Sequence, residues 1–169
     1  MSALAIRRLR SGDQELGSAL IGSRSPEACR LRLDAQARGD AVCLIAWLDG
    51  WPVGFVAVAF HDDRSPDELV EARGFALVDY LFVEEPYRRR GIGRALMVAL
   101  EAEARAAGMP GVILDTGTGE SFAAARALYR SLGYADRGGR YLGGWSDPDR
   151  PGVHLVDELT VWVKAFEIS

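Results

Sequence analysis

Residues 83–95 read Val-Glu-Glu-Pro-Tyr-Arg-Arg-Arg-Gly-Ile-Gly-Arg-Ala. The apolar run in front of them, Phe75 to Val83, predicts a strand. Behind them, Ile92, Ala95, Leu96, Ala99 and Leu100 fall at i, i+3, i+4, i+7 and i+8, the spacing of one apolar helix face. Gly91 and Gly93 let the chain turn tightly and expose backbone N–H groups. The helix N-terminus adds unpaired donors and a partial positive charge. Together these make a seat for a phosphate or pyrophosphate. Arg88, Arg89, Arg90 and Arg94 surround it with positive charge.

Two familiar phosphate loops are excluded by what the segment lacks. A P-loop needs a lysine directly after its last glycine, and the single lysine of this chain is Lys164. A dinucleotide fingerprint needs a third glycine, where this chain has Leu96. The pattern that remains is Arg/Gln-x-x-Gly-x-Gly/Ala, matched by Arg88, Gly91 and Gly93. An ordinary Arg-Gly surface turn is the competing reading of the loop alone.

The bulk properties narrow the classes. The chain has 169 residues, 49% of them hydrophobic, enough for one domain over 1–169 with a sizeable core. Its net charge is −4 and, apart from Arg88–Arg90, its basic residues are scattered. That argues against nucleic acid as a partner. Two cysteines, Cys29 and Cys43, give no secreted disulfide framework. Arg7, Arg8 and Arg10 interrupt any signal peptide, and no apolar run approaches the ~20 residues that span a bilayer. The expected location is the cytoplasm, with no membrane partner.

Along the chain, Leu4–Leu9 reads as a strand and residues 13–22 and 26–38 as helices, the second capped by Ser25 before Pro26. Ala41–Leu48 and Pro52–Phe60 flank Asp49-Gly50, a hairpin signal. Residues 61–72 form a polar, acidic loop, and Gly74–Val83 a long strand. Gly111–Leu114 is a short, buried strand. Residues 120–132 form an amphipathic helix with Ala125, Leu128, Tyr129 and Leu132 on one side, stopped by Gly133. Strands follow from Tyr134 and over Val153–Phe166. The order is strand, two helices, three strands, helix, strand, helix, two strands. It predicts an α/β (α+β) fold, a mixed central sheet of about seven strands with helices on both faces. The two central strand–helix units favour locally parallel strands.

A second motif, Ala-Arg-Ala-Leu-Tyr-Arg-Ser-Leu-Gly-Tyr, occupies residues 125–134. With the glycine loop and the element order, it resembles the GCN5-related N-acetyltransferase (GNAT) family over nearly the whole chain. The matching positions are Ala125, Tyr129 and Gly133-Tyr134. The resemblance implies acetyl-CoA as co-substrate, no metal, a small-molecule amine as acceptor and a homodimer. It implies that backbone groups of Leu81, Phe82 and Val83 hold the pantetheine arm. The pyrophosphate would sit on residues 88–95: Arg88, Arg89, Arg90, Gly91, Ile92, Gly93, Arg94 and Ala95. The family's usual asparagine is replaced by Phe122, which leaves Glu120 and Ser121 as stand-ins, Ser121 being the cofactor-binding candidate.

Acetyl transfer sets its own demands. The attacking amine must lose a proton, because it is largely protonated at neutral pH. The carbonyl oxygen gains negative charge, which backbone donors can stabilise. The departing thiolate, with a free pKa of about 8.5, needs a proton. The resemblance makes Tyr129 that proton donor; the alternative is a core tyrosine on the apolar helix face. Asp79 is unusual in an apolar strand and falls on the face of Leu81 and Val83 by the period of two; the resemblance makes it the candidate base, directly or through water. Its alternative role is to bind a backbone amide or an arginine. Glu84 is the second candidate base, and Asp115 is expected to be structural.

The acceptor groove of relatives maps here to Asp62, Asp63, Asp67, Glu68 and Glu71, and to Trp145, Asp147 and Asp149. Carboxylates beside an aromatic ring would attract a cationic amine; turn-forming, solvated acids are the plainer reading. Gly138, Gly139, Gly143 and Gly144 are read as a lid or as simple turn residues. His61 and His154 have no metal-ligand spacing, Cys43 is read as packing, and Trp47 and Trp51 as covering a sheet edge. Competing functions are a non-catalytic acetyl-CoA sensor, a protein N-terminal or lysine acetyltransferase, a nucleotide-binding module and an acyltransferase with a longer donor.

Overall fold

The apolar runs of the sequence pair into one sheet because each is flanked by residues that can turn the chain back. Asp49 and Gly50 both adopt positive φ, 50° and 84°, and close the hairpin between β2 (Ala41–Leu48) and β3 (Trp51–Ala59). β1 (Leu4–Arg8) adds to the other edge of β2. β4 (Ala76–Val83) pairs with β3, and β5 (Gly111–Gly117) lies parallel to β4. β6 (Ala135–Ser146) and β7 (His154–Ala165) complete seven strands in the order β1-β2-β3-β4-β5-β7-β6. Among the described residues only β4 and β5 pair in parallel; the other neighbours are antiparallel. The computed structural model describes residues 3–17, 20, 26–60, 74–146, 150 and 152–167.

Helices cover both faces, as the alternation along β2 requires. Val42, Leu44 and Ala46 pack beneath α3 (Ile92–Ala106), with its buried Ile92, Leu96, Met97 and Leu100. Cys43, Ile45 and Trp47 face the other way, towards α2 (Pro26–Arg38). Burying each of Leu96 and Leu100 completely contributes roughly 2 kcal/mol. A short α1 (Gln14–Gly17) follows a 3-10 turn, and α4 (Ala123–Ser131) adds Tyr129 to the α3 face.

Some boundaries and placements depart from expectation. β5 runs three residues past Leu114, because Asp115, Thr116 and Gly117 find partners in β7. The helix expected over 120–132 opens as a 3-10 turn, Glu120–Phe122. Gly138, Gly139, Gly143 and Gly144 lie within β6, not in a lid; two register shifts near Gly138 absorb the extra residues. Trp47 is buried under the Arg7 guanidinium, 4.4 Å from the ring centroid, whereas Trp51 is 65% exposed. Cys43 is buried as expected, and burial pushes its thiol up to about 12. Ser25, His61, Asp62, Asp63, Asp67, Glu68, Glu71, Asp147 and Asp149 lie outside the described residues, as does the side chain of Trp145. Among the described residues no helix is long and apolar enough to cross a membrane.

Candidate active site

β4 and β5 pair only through Ala76–Val112 and Leu77–Ile113. Beyond these residues β4 continues to Val83 and β5 to Gly117 without pairing each other, so the sheet splits. A cavity of about 570 Å³ occupies the split, between Val78–Phe82 on one lip and Leu114–Gly117 on the other. A second cavity, of about 740 Å³, lies against α3 and α4. Leu81, Arg88 and Ala125 line both, which makes one continuous groove.

Part of the β4 backbone turns away from β3 and towards the groove. Glu84 donates its N–H to the Val53 carbonyl, 2.9 Å away, and so points towards β3. Strand alternation then turns the N–H and C=O of Val83 and Leu81 towards the split, and those of Phe82 towards β3. The Val83 carbonyl accepts a 2.8 Å hydrogen bond from Arg88 Nε. Of the three expected backbone positions, Leu81 and Val83 thus face the groove. Gly54 makes the pairing with β3 close at this point; a Cβ there would stand 2.8 Å from the Phe82 carbonyl oxygen.

The anion seat forms at the start of α3. Gly91 is its N-cap, in the left-handed region at φ 78°, and no side chain caps the helix. Ala95 donates to the Gly91 carbonyl at 3.0 Å, so Ile92, Gly93 and Arg94 are the first-turn residues whose N–H groups find no partner within the helix. These residues line the larger cavity. Arg89 also has positive φ, 63°, which costs a residue with a Cβ about 1–2 kcal/mol. Such strain is tolerated where a loop must present its backbone. Arg88 lies over the Phe82 ring, and Arg90 over Tyr87. Arg94 donates to Ser131 Oγ at 2.6 Å, tying α3 to α4. Ala124 and Ala127 make the α4 wall shallow. Arg90 and Ala95 do not line the groove: Arg90 lies over the Tyr87 ring, and Ala95 spends its N–H within the helix. Ser121 does not reach it either; Phe122 supplies that wall, its ring against Gly117.

Across the split the character changes. Tyr129 enters from the α4 side, buried to 6% exposure. Burial, and then the negative charge of Asp115, push its phenol up to about 12. No hydrogen bond takes part in this shift. On the other lip Asp115 accepts a hydrogen bond from the Tyr141 hydroxyl, and both line the cleft. Burial, with that hydrogen bond, raises the Tyr141 phenol as well. Asp115, expected to be structural, holds Tyr141 and also lines the cleft.

Asp79 also changes place. Val58 pairs with Val78 and Ala57 with Tyr80, so Asp79 is an extra residue, a β-bulge. The bulge reverses the parity of β4: Val78, Leu81 and Val83 belong to the α3 side, Tyr80 and Phe82 to the α2 side. Asp79 is therefore not on the face of Leu81 and Val83. Its carboxylate meets Arg32 Nη1 of α2 at 3.2 Å and lines the cleft from that side. Glu84 lines neither cavity. Among the described residues no cluster of three or more His, Cys, Asp or Glu is placed to hold a metal ion.

A family model described as "Acetyltransferase (GNAT) family" matches residues 7–134, more than half the chain. The chain belongs to this acetyltransferase family. An "IAA acetyltransferase" of Azospirillum brasilense is 36% identical over 121 residues, 70% of this chain and 71% of that protein. Among solved structures, the acetyltransferase fold recurs in a ribosomal-protein-alanine N-acetyltransferase from Brucella melitensis. The TM-score is 0.73 at 20% identity, over 96% of this chain and 99% of that one. It recurs too in PaiA N-acetyltransferase from Thermoplasma acidophilum, solved in complex with coenzyme A. There the TM-score is 0.69 at 15% identity, over 97% and 99%.

Several residues that build this acetyltransferase site were not singled out beforehand. Ser131, Tyr87 and Tyr141 line it, and Arg126 holds its floor by donating to the carbonyls of Gly117 and Gly119 at 2.6 and 2.7 Å. Arg126 and Ser131 lay inside the second motif, and a polar residue among the alanines of a groove-facing helix was the available signal.

Proposed function

We propose that this chain transfers an acetyl group from acetyl-CoA to the amine of a small molecule, by direct attack, and that its residues 1–169 work as one catalytic domain. The observation that carries the reading is the perforated sheet. One groove joins an uncapped helix N-terminus ringed by arginines to a cleft with a carboxylate on each lip, Asp79 and Asp115. A pyrophosphate fits the first end, since its oxygens would meet the N–H groups of Ile92, Gly93 and Arg94. The groove between Leu81 and the alanines of α4 is narrow and largely apolar, which suits a thin pantetheine arm.

When bound, acetyl-CoA supplies the activated acyl group as a thioester. The Leu81 and Val83 N–H groups stand where negative charge on a carbonyl oxygen would be met by fixed donors. The acceptor approaches from the α2 side, where Asp79 and Asp115 favour an ammonium. The ammonium passes one proton to a carboxylate and on to water. The free amine then forms the C–N bond as the C–S bond breaks, and the nitrogen sheds its second proton. Tyr129 hydrogen-bonds the sulfur and delivers the proton that leaves a thiol. One proton is released per turnover.

The test is a free-thiol release assay with acetyl-CoA against an amine panel, run beside a coenzyme A titration followed by thermal shift. Thiol release that requires both amine and protein is the expected result. No thermal shift with coenzyme A would remove the groove as its site.

A further inference from the structure

The bulge at Asp79 opens onto a third cavity, of about 300 Å³, between α2 and β2. Its walls are largely apolar, built from Ala28, Leu31, Ala35 and Cys43. Among the described residues its charged ones are Arg32 and Asp79. Because Asp79 also lines the cleft in the split sheet, this cavity continues the acceptor side of the groove.

The two charges stand side by side. Arg32 Nη1 lies 3.2 Å from Asp79 Oδ2 in a single contact. Compare Arg7 and Asp13, joined by two hydrogen bonds at 2.6 and 2.8 Å. The Arg32 side chain is 22% exposed and lies over the Phe55 ring, 5.9 Å from its centroid. A one-point, partly exposed ion pair contributes little to the fold. It is also easily exchanged for a better-fitting partner. Guanidinium is suited to such exchange, because it matches a carboxylate with two parallel N–H donors.

We propose that this cavity receives the acceptor's side chain, and that Arg32 is a specificity residue that anchors the acceptor's carboxylate. The acceptor class is then an apolar amino acid or a similar zwitterion, with ammonium and carboxylate a few bonds apart. The pair presents a positive and a negative group in adjacent positions, which complements a zwitterion in the opposite sense. The acceptor's carboxylate takes Arg32. Asp79, released from that contact, turns with Asp115 to the acceptor's ammonium. A diamine or polyamine would instead bring a cation against Arg32. This assignment rests on the acetyl-CoA transferase reading above and narrows its acceptor.

The experiment is thiol release with apolar L-amino acids from alanine to phenylalanine, each against the amine that lacks its carboxyl group, and with 1,4-diaminobutane. The wild type is expected to favour the amino acids. R32Q should lower kcat/KM for them by about 10- to 100-fold. It should leave the matched amines within about threefold of wild type. It should raise activity on 1,4-diaminobutane, because the cation that repels a second ammonium is gone while Asp79 and Asp115 remain. R32K, which keeps the charge, should retain part of the preference. A variant that merely folds badly loses activity on every acceptor and gains none. Equal losses on amino acids and amines, a wild type that prefers the amines, or one that uses neither while coenzyme A still raises its Tm, would overturn the anchor. Absence of any coenzyme A effect on Tm defeats the transferase reading itself, and the anchor with it.

Discussion

Tyr129 feels Asp115 across the split sheet: burial does most to raise the phenol to about 12, and the Asp115 charge adds to it. At neutral pH the hydroxyl is fully protonated, the state a donor requires. A free thiol sits near 8.5, so complete transfer from such a phenol is uphill by roughly 3–4 pK units, about 5 kcal/mol. Tyr129 therefore works first as a hydrogen-bond donor to developing thiolate. The proton moves fully only as far as burial raises the sulfur's own pKa.

Replacing Tyr129 by Phe removes that donor and keeps the ring packed against Tyr134 and Trp162. Turnover should fall about 100-fold or more, with coenzyme A affinity held within about threefold of wild type. Steady-state kinetics beside a calorimetric titration separates the two. Undiminished turnover would make Tyr129 a packing residue only.

Arg89→Gly should relieve a backbone that the native side chain disfavours. Against the flexibility that glycine adds to the unfolded chain, the net change in stability should run from zero to about 1 kcal/mol in favour of the variant. Coenzyme A should nonetheless bind more weakly, by about 3- to 10-fold at low salt, because one cation leaves the phosphate seat. Denaturant melts and a titration at two ionic strengths check both. A variant that is both less stable and unchanged in affinity contradicts the account of this loop.

The glycine loop was legible because its chemistry is local: Arg88, Gly91 and Gly93 and the helix they start lie within a few residues of each other. The order of strands and helices along the chain followed from turn residues and apolar periods for the same reason. The position of Asp79 was not legible. Its bulge is created by the register between β3 and β4, and no residue of β4 alone announces that Tyr80 will slide opposite Ala57. One extra residue then moved the carboxylate from the α3 side to the α2 side, onto Arg32. Asp115 and Tyr141 meet across 26 positions of sequence, and Arg94 and Ser131 across 37, so neither pairing leaves a mark in a short window.

Arg126→Met tests the floor of the cleft. The stem is kept, but the donors to Gly117 and Gly119 are lost. Two charge-assisted hydrogen bonds at partial burial suggest a loss of about 1–3 kcal/mol. Gly117 cannot retreat, because a Cβ there would overlap the Phe122 ring, which shows how closely the two pack. The freed carbonyls should therefore disturb Phe122 in the cleft wall and raise KM more than they lower kcat. Urea unfolding and a substrate titration give the two readings. A stability change with kcat lost and KM unaltered would mean that Arg126 acts elsewhere.

The acid limit of the fold should trace to Asp13. Arg7 grips its carboxylate with two hydrogen bonds, and the Arg10 N–H adds a third at 2.8 Å. The Arg7 hydrogen bond, opposed by burial and aided by Arg10, holds the Asp13 carboxyl below its ordinary value of 3.8. A carboxylate whose pKa falls on folding stabilises the protein fully above its unfolded pKa, and that contribution is lost as the pH drops through the depressed folded value. Asp13→Asn should thus lower stability by about 1–2 kcal/mol at pH 7. The gap between wild type and variant should stay constant down to about pH 5 and close below about pH 4. Thermal melts from pH 7 to pH 2.5 measure it directly. A gap that persists unchanged at the lowest pH would mean that Asp13 acts through shape and not through its charge.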